Sequence, residues 1–195
     1  MKIDHNPDEF KMSIADAKEK AFQRAIISAG QSYLDGDIVE WIDIEMPVSS
    51  GRTKRFDLIG VDASGQYVLC ELKFFNKKSD GGTPVVATSQ ILEYLDALND
   101  YCKKLKDAGL PFRLHTNAKQ TSLDIDKFLA CPPRLVIAAN KAYWENEVVD
   151  LSELDDRIGY YSVDVDANAF ELQKGNKDAF VPEMPPTGMR WAKIR

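Results

Sequence analysis

Three side chains have the types and spacing for a cluster that holds a divalent cation. Asp57 lies in RFDLIGVD (55–62), and Glu71 and Lys73 lie in QYVLCELKF (66–74). Both segments read as strands, joined by Ala63-Ser64-Gly65, a short hairpin loop with Gly where a left-handed residue is often needed. With a three-residue loop, Asp62 faces Gln66. Counting back then sets Val61 against Tyr67, Ile59 against Leu69, Leu58 against Cys70, Asp57 against Glu71 and Phe56 against Leu72. Side chains repeat every second residue, so Lys73 projects on the face of Glu71. Apolar pairs fall on both faces, as in central strands, while Asp57, Glu71 and Lys73 gather at one end. Opposed carboxylates repel, and buried charges are costly unless paired or bound to a cation. Lys73 compensates one carboxylate; a divalent cation compensates both. Mg²⁺ is usually held by one or two carboxylates plus water and substrate phosphate. The structural alternative is an ion-pair network on a strand end. A one-residue slip would move Glu71 and Lys73 to the other face relative to Asp57.

Composition bounds what such a site serves. The chain has 195 residues, 44% of them hydrophobic and 29% charged, so neither a membrane protein nor a charge-dominated disordered chain is expected. One domain is expected over 1–195, with a core at 13–140 and an extension at 141–195. Lys plus Arg is 25 against 31 Asp plus Glu, a net charge of −6 that excludes a uniformly basic coat but not a local basic groove. Cys70, Cys102 and Cys131 form no CxxC pair, which removes a zinc ribbon. Their odd number, and a start (MKIDHNPDEF) without the apolar core of a signal peptide, predict reduced thiols and a cytoplasmic location. His5 and His115 are too few for a histidine-rich centre and leave little room for a Ser-His-Asp triad. A metal would be held mainly by oxygen.

The elements that must position these residues follow from periodicity. A helix is predicted over 13–30, opened by Ser13 with Asp16 as a capping-box variant, striped by Ala21, Phe22, Ala25, Ile26 and Ala29, and stopped at Gly30. Residues 38–46 alternate Ile38, Ile42, Ile44 and Met46 against polar neighbours and predict a strand. A second helix is predicted over 85–106, with the ladder Ile91, Leu95, Leu98, Cys102 and Leu105. Residues 107–133 read as irregular apart from a short helix at 123–129. The apolar run 134–139 suits a strand buried on both faces. Further strands are predicted at 160–165 and 169–173, then an extended tail from 174. The order is that of an α/β domain.

Helix, three strands with Asp in the second and Glu-x-Lys in the third, then helix and buried strand: this set resembles the PD-(D/E)xK nuclease superfamily. The matching residues are Asp57 and Glu71-Leu72-Lys73, the ELK being similar to that of the NucS and RecB-type branches. Those branches often carry Gln followed four residues later by Tyr on the next helix, here Gln90 and Tyr94, which share a helix face. The resemblance covers about 13–140 and implies a restriction-endonuclease-like αβββαβ core: a central mixed sheet flanked by helices, with C-terminal β additions. Phe56 stands where many members have the Pro before Asp. The resemblance implies one or two Mg²⁺ or Mn²⁺ ions held by Asp57, Glu71 and the Leu72 carbonyl, with Glu19 binding directly or through water and Glu40 as a weaker alternative. It gives Lys73 the orientation or deprotonation of water and stabilisation of the pentacovalent phosphate. Gln90 would position DNA or a metal-bound water, supported by Tyr94.

Charge is compatible with a nucleic-acid substrate, DNA rather than RNA. Residues 51–78 carry six bases (Arg52, Lys54, Arg55, Lys73, Lys77, Lys78) against three acids, the local cluster that phosphate contacts need. Lys103, Lys104 and Lys106 read as a solvated helix end. Residues 145–171 hold nine acids and one base, Arg157, and are expected to face away from DNA or towards a protein. Trp144 and Trp191 lie outside the core motif, in packing or in stacking. The leading expectation is a metal-dependent deoxyribonuclease of repair, restriction or defence. The alternative is a catalytically inactive nuclease-like module that binds nucleic acid or a partner. A third is an interaction protein whose cluster is only an ion pair. The acidic balance favours reliance on a homodimer or a protein partner; no membrane partner is expected.

Overall fold

A computed structural model of the chain describes residues 14–50, 54–75, 82–114, 122–146, 150–164 and 189–195. Helix α1 (Ile14–Ala29) buries Phe22, Ala25 and Ile26, as its stripe requires, and ends at Gly30, whose N–H donates to the Ile27 carbonyl at 3.1 Å. Strands β1 (Gln31–Leu34), β2 (Asp37–Pro47), β3 (Arg55–Asp62) and β4 (Tyr67–Lys73) follow as an antiparallel meander. Helix α2 (Pro84–Asp107) opens on Thr83, whose side chain accepts from the Val86 N–H, and Pro84 occupies its first turn. A two-stranded ribbon, β5 (Phe112–Arg113) and β6 (Ser122–Leu123), and helix α3 (Ile125–Ala130) come next. Then come β7 (Arg134–Asn140), α4 (Lys141–Asn146), β8 (Ile158–Asp164) and β9 (Arg190–Lys193).

The result is a mixed α/β fold on a seven-stranded mixed sheet, ordered β1-β2-β3-β4-β7-β8-β9. β7 lies parallel to β4, and β8 parallel to β7. The extension therefore enlarges the same sheet. One face is covered by Ala87, Ile91, Leu98 and Cys102 of α2 and Phe128 of α3, the other by Phe22, Ile26 and Ile27 of α1. β4 is covered on both faces, which is why YVLCEL reads as a nearly continuous apolar run.

The hairpin forms in the counted register from Val61–Tyr67 to Leu58–Cys70, where the ladder stops short of the expected Asp57–Glu71 pair. Leu58–Cys70, Ile59–Leu69 and Val61–Tyr67 are partners, and the Asp62 N–H donates to the Gln66 carbonyl at 3.0 Å. Gly65 takes φ 83°, and the Asp62 carboxylate closes the loop by accepting from Ser64 and Gln66 N–H groups.

Several expectations need correction. The alternation of 38–46 does not hold. Ile38 is exposed, Ile42 and Met46 pack on the α2 side, and Ile44 packs on the α1 side. A register shift between Trp41 and Asp43 and a left-handed Glu45 (φ 53°) turn the strand over twice. Phe56 and Leu72 do not pair across a common face: Phe56 packs with α2 and Leu72 with α1. β1 was hidden by its four-residue length, though Asp35-Gly36, both with positive φ, is the tight-turn signal that closes it on β2. The irregular stretch contains β5 and β6, and the tail contains β9, paired with β8. The predicted helix cap at Ser13 and strand at 169–173 lie outside the described residues. Trp144 and Trp191 have packing roles: Trp144 donates to the Tyr161 carbonyl at 3.0 Å, and Trp191 stacks on Trp41 at 5.9 Å. That stack joins strands from opposite ends of the sheet order, and β1 and β9 touch, so the sheet is strongly curled. Among the described residues no helix is long and apolar enough to cross a membrane.

Gly60 shows how tightly β2 and β3 are packed. A Cβ there would lie 2.7 Å from Val39 Cγ1 and 2.9 Å from the Glu40 carbonyl oxygen. A backbone oxygen in a central ladder cannot move aside. Gly60→Ala is therefore expected to destabilise the fold by about 1–3 kcal/mol, read as a lower urea midpoint at unchanged slope. An unchanged midpoint would show that this part of the sheet is not rigid.

Candidate active site

The end of β4 carries the candidate site residues Glu71 and Lys73. Glu71 points to the α2 face, where its neighbours along the strand, Tyr67 and Leu69, also pack. It is 3% exposed. Its Oε1 accepts from Lys73 Nζ at 2.9 Å and from Gln90 Nε2 at 2.7 Å. Gln90 Oε1 accepts from the same Lys73 Nζ at 3.1 Å, closing a three-membered network. The Gln90 amide also donates to the Tyr94 hydroxyl at 3.2 Å, one helical turn on, and the Tyr94 ring meets Phe56 edge to face at 5.8 Å. The other Glu71 oxygen, Oε2, is buried and has no hydrogen-bond partner among the described residues.

Asp57 enters from β3. The paired ladder between β3 and β4 ends at Leu58–Cys70. One residue further, the Asp57 carboxylate takes over: Oδ2 accepts from the Leu72 N–H at 2.7 Å. Asp57 is thus tied to the backbone of the residue between Glu71 and Lys73. Burial pushes the Glu71 pKa up to about 8, and the Asp57 charge adds to this against the pull of Lys73. Burial also raises the Asp57 pKa, opposed by the Leu72 N–H, Lys73 and Lys20. Burial disfavours the Lys73 ammonium, but Glu71, Asp57 and Glu19 outweigh it and hold its pKa above the ordinary value.

The sequence-predicted residues divide as follows. Asp57, Glu71, Leu72, Lys73, Gln90 and Tyr94 come together. Glu19 on α1 acts electrostatically on both Glu71 and Lys73, so it belongs to the same locality. Glu40 does not: it is exposed and pairs with Val61, towards the hairpin turn. Lys54 and Arg55 are not simple phosphate-facing cations. Lys54 pairs with Glu93 and sits over the Tyr94 ring, 5.9 Å from its centre, while Arg55 reaches Glu45 at 3.4 Å. Arg52, Lys77 and Lys78 lie outside the described residues. Lys103 and Lys106 carry partners of their own in Asp100 and Asp126, which fits a solvated helix end.

Sequence reasoning missed three groups beside the site. Gln23 of α1 is 2% exposed and donates to the Asp57 carbonyl at 2.7 Å and to Glu45 Oε1 at 3.0 Å. Its helical spacing to Ile26 and Ile27 was the available signal. Glu45 itself had none, because its orientation depends on a left-handed backbone. Asn140 closes β7 and clamps Phe75 through both backbone groups at 2.9 Å, two residues past Lys73. A lone amide ending an apolar strand was its signal.

As a cation site, the cluster is lean. Among the described residues no three His, Cys, Asp or Glu side chains gather in a metal-binding group. Asp57 and Glu71 form a pair, and one or two carboxylates suffice for Mg²⁺ when water and substrate phosphate complete the shell. When Glu71 is ionised, its buried Oε2 is an acceptor with no donor among the described residues, which fits such a group. An open cavity of about 400 Å³ lies elsewhere, lined by Arg134, Ile158, Tyr161 and Lys193. In the β4–β7 register Arg134 faces Val68 and Ala139 faces Lys73, so the two places are about 16 Å apart along the strands.

No family model, curated protein or solved structure gives a significant match to this chain.

The raised Glu71 pKa has a consequence for stability. Between its ordinary value of 4.5 and about 8, the folded chain holds a proton that the unfolded chain has released. Stability from this group is therefore full below pH 4.5 and lost as pH rises through 8, each pKa unit being worth about 1.4 kcal/mol. Without divalent ions, the unfolding free energy is expected to fall from pH 5 to 8, and Glu71→Gln to flatten most of that slope. A wild-type curve that rises over this range would mean that Glu71 is ionised and satisfied by Lys73 alone.

Proposed function

We propose that the chain is a metal-dependent nuclease that hydrolyses phosphodiester bonds in DNA, with a restriction-endonuclease-like core. The observation that carries this reading is the buried Glu71 Oε2 without a donor, set beside Asp57 and Lys73. The element order supports it: α1, the antiparallel β2-β3-β4, α2, and β7 parallel to β4. A structural ion pair accounts for Glu71 Oε1 but leaves Oε2 buried at a cost.

Asp57 and Glu71 would hold Mg²⁺ or Mn²⁺, with the Leu72 carbonyl next to Glu71 in sequence and Glu19 close by. When bound, the metal supplies positive charge at the phosphate and a more acidic water. The protein's own groups do the rest. Asp57 is oriented by the Leu72 N–H and by Gln23 on its carbonyl. Lys73 is held by Glu71 and Gln90 and kept protonated, which suits it to neutralising phosphate charge rather than to taking a proton. Gln90 fixes both the lysine and the carboxylate, and Tyr94 anchors Gln90.

One observation favours the second reading, an inactive nuclease-like binding module: no third metal-ligating side chain joins Asp57 and Glu71 among the described residues. Activity separates the two. Incubation with single-stranded, duplex and branched DNA is expected to show cleavage in Mn²⁺ and none in EDTA. Glu71→Ala should abolish it, and Lys73→Ala should slow it roughly 100- to 1000-fold, as for loss of a charge-stabilising donor. A folded wild-type chain inert on all three substrates would favour the silent module.

Metal binding has its own readout. Mn²⁺ is expected to raise the melting temperature of the wild-type chain more at pH 8 than at pH 5, because protons compete for Glu71. Glu71→Gln should abolish the rise. An equal rise in that variant would place the ion elsewhere.

A further inference from the structure

Lys54 stands at the outer edge of the site, on the side of α2. Its carbonyl accepts from the Val48 N–H at 3.1 Å, which fixes its backbone just before β3. Its ammonium pairs with Glu93 and lies over the Tyr94 ring, 5.9 Å from the centre. Three successive contacts, Lys54 to Tyr94, Tyr94 to Gln90 and Gln90 to Glu71, lead from this lysine to the buried carboxylate. Glu93 directly precedes Tyr94, so one turn of α2 presents both the ring under the lysine and the acid that occupies it.

The cations around the site differ in how firmly they are held. Lys73 bonds Glu71 and Gln90, and its side chain is only 14% exposed. Lys20 and Arg55 are both engaged by Glu45. Lys54 is 46% exposed and its partner Glu93 is 62% exposed. An ion pair so open to water shifts an equilibrium by a factor of about five at most. A lysine placed on a nucleic-acid phosphate instead displaces a condensed counterion, and that gain grows as salt falls. A DNA phosphate at the edge of the site can therefore draw Lys54 away from Glu93. We propose that Lys54 leaves Glu93 to bind a DNA phosphate beside the scissile one, and that Glu93 weakens DNA binding by competing for the lysine. This inference rests on the nucleic-acid reading above.

The test is the salt dependence of DNA binding by the full chain. Fluorescein-labelled DNA of about 20 nucleotides, single-stranded and duplex, is titrated by anisotropy between about 50 and 200 mM KCl. Ca²⁺ is the ion present, since it binds carboxylates with looser geometry than Mg²⁺, and the DNA is checked to be intact afterwards. Lys54→Met with Glu93→Gln replaces the pair by neutral residues of similar size and leaves the net charge unchanged. The double variant is expected to bind more weakly at low salt. Its slope of log affinity against log salt should be shallower by about 0.9 on duplex or about 0.7 on single strand, the loss of one phosphate contact. Glu93→Gln alone should bind about 2- to 5-fold tighter, with no shallower slope. Unchanged affinity and slope in the double variant would show that the pair stays closed on DNA. Weaker binding at an unchanged slope would show that Lys54 only supports Tyr94. Either result, or unchanged affinity in Glu93→Gln, would overturn the inference while leaving the nucleic-acid reading standing. No binding of either DNA by a folded wild-type chain would remove that reading and the inference with it.

Discussion

A carboxylate has been carried to the end of the central strand and shut off from water, and the neighbouring structure is arranged around that fact. Glu71 is flanked along β4 by residues packed against α1 on one face and α2 on the other. Its position follows from the register of a strand covered on both sides. A charge there demands compensation. Lys73 supplies part of it from the same face, two residues on, and Gln90 supplies more from α2. Among the described residues the compensation is incomplete, since one oxygen has no donor. That residual demand separates this cluster from the surface ion pairs elsewhere in the chain, such as Lys103 with Asp100, whose ends are open to water.

The second constraint is how a neighbouring strand delivers its own carboxylates to the same place. In a regular ladder, Asp57 and Glu45 would stand side by side on one face. The left-handed Glu45 breaks that regularity. Asp57 then bonds the β4 backbone through Leu72, while Glu45 engages α1. A local backbone cost is exchanged for two carboxylates with separate partners. Gln23 ties the arrangement together, because one amide nitrogen serves both strands.

A second carboxylate cluster lies away from the candidate site. Away from Glu71, Asp35 gathers Tyr161 at 2.6 Å, Lys193 at 2.8 Å and Arg134 at 3.4 Å. Burial works against its charge, but these partners outweigh burial and hold its pKa below the ordinary value. The group joins the β1 turn to β7, β8 and β9, and with the Trp41–Trp191 stack it draws the curled sheet together. Here β7, β8 and β9 each contribute a partner and the carboxylate is satisfied. At the other end it is not.

Much of this was legible in the chain. The hairpin register from Val61–Tyr67 to Leu58–Cys70 followed from loop length and strand period. It pointed to the meeting of Asp57, Glu71 and Lys73, which the structure makes through the Leu72 N–H rather than a ladder pair. The shared helix face of Gln90 and Tyr94 followed from a spacing of four. β1 and β9 were harder, because four-residue strands carry little periodicity and are stabilised by what they pair with. Local sequence therefore determined the long helices and strands, the β3–β4 register and the gathering of Asp57, Glu71 and Lys73. Only the tertiary structure decided which carboxylate oxygen lacks a donor, that Glu40 lies apart from the site, and that Glu45, Gln23 and Lys20 belong to it. Those outcomes depend on contacts between segments distant in the chain and on one backbone angle that no side-chain pattern encodes.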